Sequence, residues 1–175
     1  VRYGGTNKNN DLFYKLYASK DILKHSKSID NLRGNKGNAG DNWGIHRAGL
    51  KLNWQKDIYN ELSFNFDINR GSIDQIILLP AISDGFSDKQ KFNGYSLDLS
   101  WKREISEKSN LLSKIYFDQT KKDSLLGLEK RKVFNFDLNY FLKLNNYLKL
   151  KSGLGFRNIR DHLEDSYING KLVRS

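Results

Sequence analysis

The densest grouping of chemically capable side chains lies near the end of the chain, where Asp161, His162, Glu164, Asp165 and Ser166 supply an acid, a base and a nucleophile. A nucleophile, base and orienting acid work through the geometry in which they meet, so adjacency along one charged stretch is not a catalytic triad. These residues read as a single charged loop past the last strand. His25 and His46 fall in or beside an earlier polar loop without the spacing to a second histidine or carboxylate that a metal site needs. The chain has no cysteine, which excludes thiolate metal sites and disulfides. Asp67, Asp98 and Asp137 recur on one strand parity, but carboxylate-pair chemistry requires a defined separation that spacing does not supply. They read as lining of a wet surface. The expectation is therefore a protein that is not an enzyme and carries no metal or cofactor.

The elements that position these residues show a two-residue period. Between Leu62 and Asn69, Leu62, Phe64, Phe66 and Ile68 occupy one parity and Ser63, Asn65, Asp67 and Asn69 the other. Successive side chains of a strand point to opposite faces, so the segment separates an oily environment from a wet one. The polar parity continues through Lys51, Asn53 and Gln55, through Ser96, Asp98 and Ser100, through Asn135, Asp137 and Asn139, and through Lys149 and Lys151. Its residues are mixed in charge and rich in Asn and Asp, which strands disfavour unless that face is hydrated.

Eight strands are predicted: Val1 to Gly4, Leu12 to Lys20, Ile45 to Gln55, Glu61 to Arg70, Asn93 to Arg103, Asn110 to Lys121, Arg131 to Leu144 and Asn146 to Arg160. Short connections at 5–11, 56–60, 104–109 and around Asn145 alternate with long ones at 21–44, 71–92, 122–130 and beyond Arg160. Outer-membrane barrels sort their loops this way, with short periplasmic turns and long external loops. Trp54 and Trp101 end apolar parities before short connections, and Tyr140 and Tyr147 flank the turn at Asn145, so all four are expected near one membrane plane.

Composition agrees with a strand-built membrane wall and excludes other classes. Only 38% of the residues are hydrophobic and the longest apolar run, Ile76 to Ile82, contains Pro80, so no helical span exists. A membrane strand needs only about 9–11 residues, alternately apolar. The net charge of +10 is scattered without a basic block, and the aromatics sit on the apolar parity, which excludes a nucleic-acid surface. The charge suits an anionic ligand or lipid phosphates, and equally a composition drawn toward Lys and Asn, since like charges are scattered. The chain starts at Val1, lacks methionine and ends at Ser175 with nothing like a closing strand, so it reads as part of a longer protein.

Three stretches carry a resemblance: Val1 to Thr6 (V-R-Y-G-G-T), Phe13 to Lys20 (F-Y-K-L-Y-A-S-K) and Asp41 to Trp54 (D-N-W-G-I-H-R-A-G-L-K-L-N-W). They resemble the first barrel strands of TonB-dependent outer-membrane receptors, with Ile45 and His46 where that family more often has Arg-Met. The resemblance implies residues 1–175 as part of an antiparallel, up-and-down transmembrane β-barrel of about 22 strands, some seven or eight of them here. It also implies a Gram-negative outer-membrane location, contact with outer-membrane lipid, a separate plug domain inside the barrel, TonB acting through that plug, and import of a small, scarce extracellular ligand such as a ferric siderophore.

On that reading Lys51, Asn65, Asp67, Asp98, Asn135, Asp137, Lys149 and Lys151 face the lumen, and Trp43 with the loop from Ile76 to Phe86 meets ligand. Two alternatives stand beside it. A closed eight-stranded outer-membrane barrel would have a structural, adhesive or lipid-modifying role, and a soluble barrel would turn its apolar parity inward.

Overall fold

The computed structural model describes residues 1–24, 27–29, 36–38, 41–77 and 86–164. Ten strands account for nearly all of them: β1 (Arg2–Thr6), β2 (Leu12–Leu23), β3 (Lys27–Ile29), β4 (Lys36–Asn38), β5 (Trp43–Asp57), β6 (Asn60–Ile77), β7 (Phe86–Ser106), β8 (Ser109–Ser124), β9 (Gly127–Lys143) and β10 (Lys149–Glu164). β3 and β4 form a small hairpin, and the other eight make one antiparallel sheet in the order β1-β2-β5-β6-β7-β8-β9-β10. The fold is all-β and up-and-down, without a helix among the described residues. The sheet is open, with β1 and β10 as its edges.

Every one of the eight predicted strands is present, and most are longer than the alternation indicated. β6 runs to Ile77 and β7 starts at Phe86, so much of the predicted loop at 71–92 is a paired hairpin stem. The predicted loop at 122–130 is also a stem, turned tightly at Leu125 and Leu126, with Lys122 paired to Glu129 across the ladder. Polar residues on both parities hid these extensions, because beyond the apolar band neither face is oily and the two-residue contrast vanishes. β6 and β7 are 18 and 21 residues long, against the roughly 3–10 usual in globular sheets.

The register resolves two faces. One row of paired residues runs Leu12, Trp54, Leu62, Trp101. The next runs Tyr14, Leu52, Phe64, Leu99, Ile115, Phe136, Phe156, and the one above it Leu16, Leu50, Phe66, Leu97, Phe117, Phe134. These side chains form a continuous apolar band on a single face. The opposite face carries the polar parity of the same strands.

No second layer covers either face. Among the described residues only Gly94, Ser109 and Val133 are buried, and large apolar side chains such as Ile68, Leu154 and Phe156 are about half exposed or more. The accessible surface of 13667 Å² compares with about 8,800 Å² for a compact protein of 20.3 kDa. A sheet normally buries one face against another layer; here the backbone ladders are complete and the core is missing.

The connections at the Trp54 and Trp101 end are tied by side chains that mimic backbone turns. Asn7 accepts from the amides of Asp11 and Leu12, and Asn145 from those of Tyr147 and Leu148. The Ser106 and Ser109 hydroxyls bond at 2.7 Å. Asp57 accepts from the Tyr59 amide at 2.8 Å and from Asn60 Nδ2 at 2.9 Å.

Those bonds, Asn60 first and the Tyr59 amide second, hold the Asp57 carboxyl below its ordinary pKa. A carboxylate with a depressed native pKa stabilises its turn fully above the unfolded value of about 3.9, and that contribution fades as pH falls through the lower native value. The expected outcome is that protection of the Tyr59 amide from hydrogen exchange, corrected for intrinsic rates, drops as pH falls below about 4. Asp57→Asn should remove the pH step. Protection that stays constant across that range in the unmodified chain contradicts the assignment.

Candidate functional site

The polar face is built by β2 and β5 to β10, whose register sets cross-strand partners about 4.5–5.5 Å apart. One row reads Lys15, Lys51, Asn65, Asp98, Tyr116, Asn135, Arg157. Asp67 lies in the adjacent row, with Gly49, Ser96 and Asp118. Asp137 lies in the row on the other side, between Lys114 and Gly155. Asn135 Nδ2 donates to the Asp137 carboxylate along the strand. Six of the predicted residues, Lys51, Asn65, Asp67, Asp98, Asn135 and Asp137, therefore share one contiguous surface.

This surface is acidic at its centre and basic at its flanks. Asp67, Asp98, Asp118 and Asp137 come from four adjacent strands and have no cationic side chain within ion-pair distance among the described residues. Lys15 and Lys51 stand on one side and Arg157 on the other. Cations and carboxylates interleave, so the face as a whole selects no sign of charge. The scattered positive charge of the sequence does not collect here.

The polar side is also the more enclosed one along β7, where Asp88, Gln90, Phe92, Gly94 and Ser96 are half-buried or buried while Lys89, Lys91, Asn93 and Tyr95 are exposed. Two glycines explain how the face closes up. Gly49 is paired with Tyr17, whose ring atom would stand 2.5 Å from a Cβ at that position. Gly71 is paired with Phe92, whose ring would come equally close, and the Gly44 carbonyl would lie at 2.4 Å. In each pair an aromatic ring covers the gap left by glycine, so neither position has room for a side chain.

The other predicted contact residues do not join this surface. Lys149 and Lys151 are on the polar face but at the opposite strand end of the edge strand β10, where the Lys151 ammonium lies 5.4 Å from the Phe141 ring centroid. Trp43 is on the polar face at the other end, between Leu23 and Ile73. Ile76 has the opposite parity, places its side chain on the apolar face and is paired with Ser87. Trp43 and Ile76 thus cannot contact one ligand from one side of the sheet. Phe86 begins β7, and the stretch 78–85, including Pro80 and the rest of the apolar run, lies outside the described residues.

Tyr116, Asp118 and Arg157 belong to the surface and were missed. The parity of β8, counted from Ile115 and Phe117, contains the signal for the first two. Arg157 follows Gly153 and Gly155, which carry no side chain to mark a parity.

The histidines do not assemble a site. His46 and His162 are strand residues on the apolar side, in register with Lys20 and Lys130 respectively, and His25 lies outside the described residues. Asp161 and His162 project to opposite faces. Asp161 pairs with Arg131 at 3.5 Å, whereas His162 Nε2 lies 3.3 Å from Glu164. A hydrogen bond from Lys130 at 2.7 Å, with the nearby charges of Lys130 and His162, holds the Glu164 carboxyl below its usual pKa. Asp165 and Ser166 fall outside the described residues. No group of three or more His, Cys, Asp or Glu could hold a metal among the described residues.

Trp54 and Trp101 both lie in the row through Leu62, and the Trp101 indole donates to Asn60 Oδ1 at 3.3 Å. Tyr140 lies one paired row further toward the short turns, opposite Leu111. Tyr147 belongs to the turn before β10 and is fully exposed.

Comparison with family models, with curated proteins and with solved structures finds no match for this chain.

Proposed function

We propose that this chain forms part of the wall of an outer-membrane β-barrel of the TonB-dependent receptor type, importing a scarce ligand such as a ferric chelate. The observation that carries the reading is the single-layer sheet with one apolar and one polar face and no core. Such a sheet needs oil on one side and water on the other.

Two further features support the reading. The apolar band crosses the hydrogen-bonded rows obliquely: its lower border is the Leu12, Trp54, Leu62, Trp101 row on one half of the sheet, but the band extends to Leu142 and Leu150 on β9 and β10. A band of constant height does this when strands are tilted, as barrel strands are by about 35–45°. On β9, Phe134 to Leu142 covers about 27 Å of strand, or about 20 Å of height after tilt, close to the roughly 25 Å apolar belt of such barrels. The open edges β1 and β10 then require further strands, because an unpaired backbone group in lipid costs several kcal/mol. That argument disfavours a closed barrel made from these eight strands alone.

In this reading the acidic centre formed by Asp67, Asp98, Asp118 and Asp137, flanked by Lys51 and Arg157, lines the lumen and contacts ligand or an inserted plug. Interleaved charge suits hydrogen bonding to a polar ligand of either sign.

Neighbouring substitutions test the orientation. In a bilayer, Phe66→Lys should lower folding stability by about 2–4 kcal/mol, while Asn65→Lys on the opposite face should cost less than about 1 kcal/mol, measured by denaturant titration of folded protein in vesicles. Equal costs contradict the assigned faces. The receptor role is tested in cells carrying the gene under iron limitation: uptake of a labelled ferric chelate should vanish on gene deletion and on collapse of the proton-motive force. Uptake that survives either treatment overturns the role.

A further inference from the structure

Basic side chains at the end of the sheet away from the short turns are distributed unequally between its two faces. On the polar face the cations are matched: Arg47 pairs with Asp21 at 3.0 Å, Lys122 with Glu129 at 3.5 Å and Arg131 with Asp161 at 3.5 Å. On the apolar face, immediately beyond Ile68 and Tyr95, stand Lys20, Arg70, Lys91 and Lys121. None of these four has a carboxylate within 4.0 Å among the described residues.

The register crowds three of them. Lys20 is paired with His46 and His46 with Arg70; Lys121 is paired with Asn93 on one side and with Lys130 on the other, while Lys91 stands across from Asp123 without coming within 4.0 Å of its carboxylate. Like charges directly across a ladder destabilise it unless an anion sits between them. Lys130 has its own carboxylate in Glu164, which leaves Lys121 as the unmatched member of its pair. Lys20, Arg70, Lys91 and Lys121 also line one groove of about 970 Å³, in which the carboxylate of Asp74 is taken by Lys89 at 3.8 Å and Asp123 is the remaining acid, so the cations outnumber the acids. Long basic side chains at the border of an apolar band lay their stems along it and extend their charges to the headgroup level.

We infer that this belt binds the phosphate groups of lipid headgroups in the leaflet next to the long hairpins, Lys20, Arg70, Lys91 and Lys121 supplying the charge the sheet leaves unmatched. The inference rests on the membrane reading above and adds a specific lipid chemistry to it. Phosphate fits better than a carboxylate-bearing protein partner because the belt adjoins the apolar band directly, where a headgroup is present whenever the band is in lipid. Each cation near such a surface contributes enough that losing four should weaken binding at least about tenfold.

The test uses two variants, with equal loss of charge, of the complete barrel to which the membrane reading assigns these strands. One carries Lys20→Gln, Arg70→Gln, Lys91→Gln and Lys121→Gln; the other carries Lys15→Gln, Lys51→Gln, Lys114→Gln and Arg157→Gln on the polar face. Insertion is measured into vesicles of phosphatidylcholine alone and of an equal mixture of phosphatidylcholine and phosphatidylglycerol, at low and high salt. The unmodified barrel should prefer the mixed vesicles at low salt, the first variant should lose that preference by at least about tenfold while still inserting into phosphatidylcholine, and the second should keep it. Equal loss in both variants, or no preference in the unmodified barrel, overturns the belt while leaving the membrane reading intact. Failure of the complete barrel that carries these strands to insert into either vesicle overturns the membrane reading and the belt with it.

Discussion

Everything in this fold depends on what removes its apolar band from water. A side chain such as Leu or Phe gains about 1.5–3 kcal/mol on full burial. With side chains such as Leu16, Ile68, Leu150, Leu154 and Phe156 about half exposed and the rest of the band on β2 and β5 to β10 only partly covered, the unrealised stabilisation is on the order of ten kcal/mol or more, comparable to the roughly 5–15 kcal/mol net stability of a typical domain. The hydrogen-bonded ladders do not substitute for it, because each backbone bond contributes only about 0.5–1.5 kcal/mol net. The sheet is thus one half of a structure whose other half is its surroundings. In the proposed reading a hydrocarbon layer supplies that half without any second protein layer.

That constraint organises the remaining features. If the apolar band faces oil, polar residues must collect on the other face, and they do, with Asp67, Asp98, Asp118 and Asp137 drawn together from β6 to β9. Glycines at 49 and 71 let that face close up beneath Tyr17 and Phe92. The short turns carry their own side-chain caps, Asn7, Asp57 and Asn145, so each hairpin is fixed locally at the end where Trp54 and Trp101 border the band. At the far end the band gives way to cations that are matched on the polar face, whereas on the apolar one Lys20, Arg70, Lys91 and Lys121 have no carboxylate within 4.0 Å among the described residues.

Much of this was legible in the residues. The strict alternation at Leu62 to Asn69 located β6 and its two faces, and counting the same parity placed Lys51, Asn65, Asp67, Asp98, Asn135 and Asp137 together before any register was known. Loop composition was a poorer guide. The polar stretch at 122–130 looked like a loop because Lys, Asp and Glu mark solvent exposure, yet a hairpin stem in water is exposed on both faces and has the same composition. Trp43 and Ile76 were grouped because each fell in a predicted long loop, 21–44 and 71–92, whereas parity puts them on opposite faces once β6 is known to continue. The unequal pairing of cations was beyond the sequence, since it depends on which strands are neighbours.

The central claim, that one face meets hydrocarbon and the other water, is tested most directly by the three tryptophans, because Trp54 and Trp101 sit on the apolar face and Trp43 on the polar one. In single-tryptophan variants inserted into vesicles, quenching by brominated acyl chains should be strong for Trp54 and Trp101 and weak for Trp43, with the order reversed for a water-soluble quencher. Equal response of all three to both quenchers, or stronger lipid quenching of Trp43, would contradict the account.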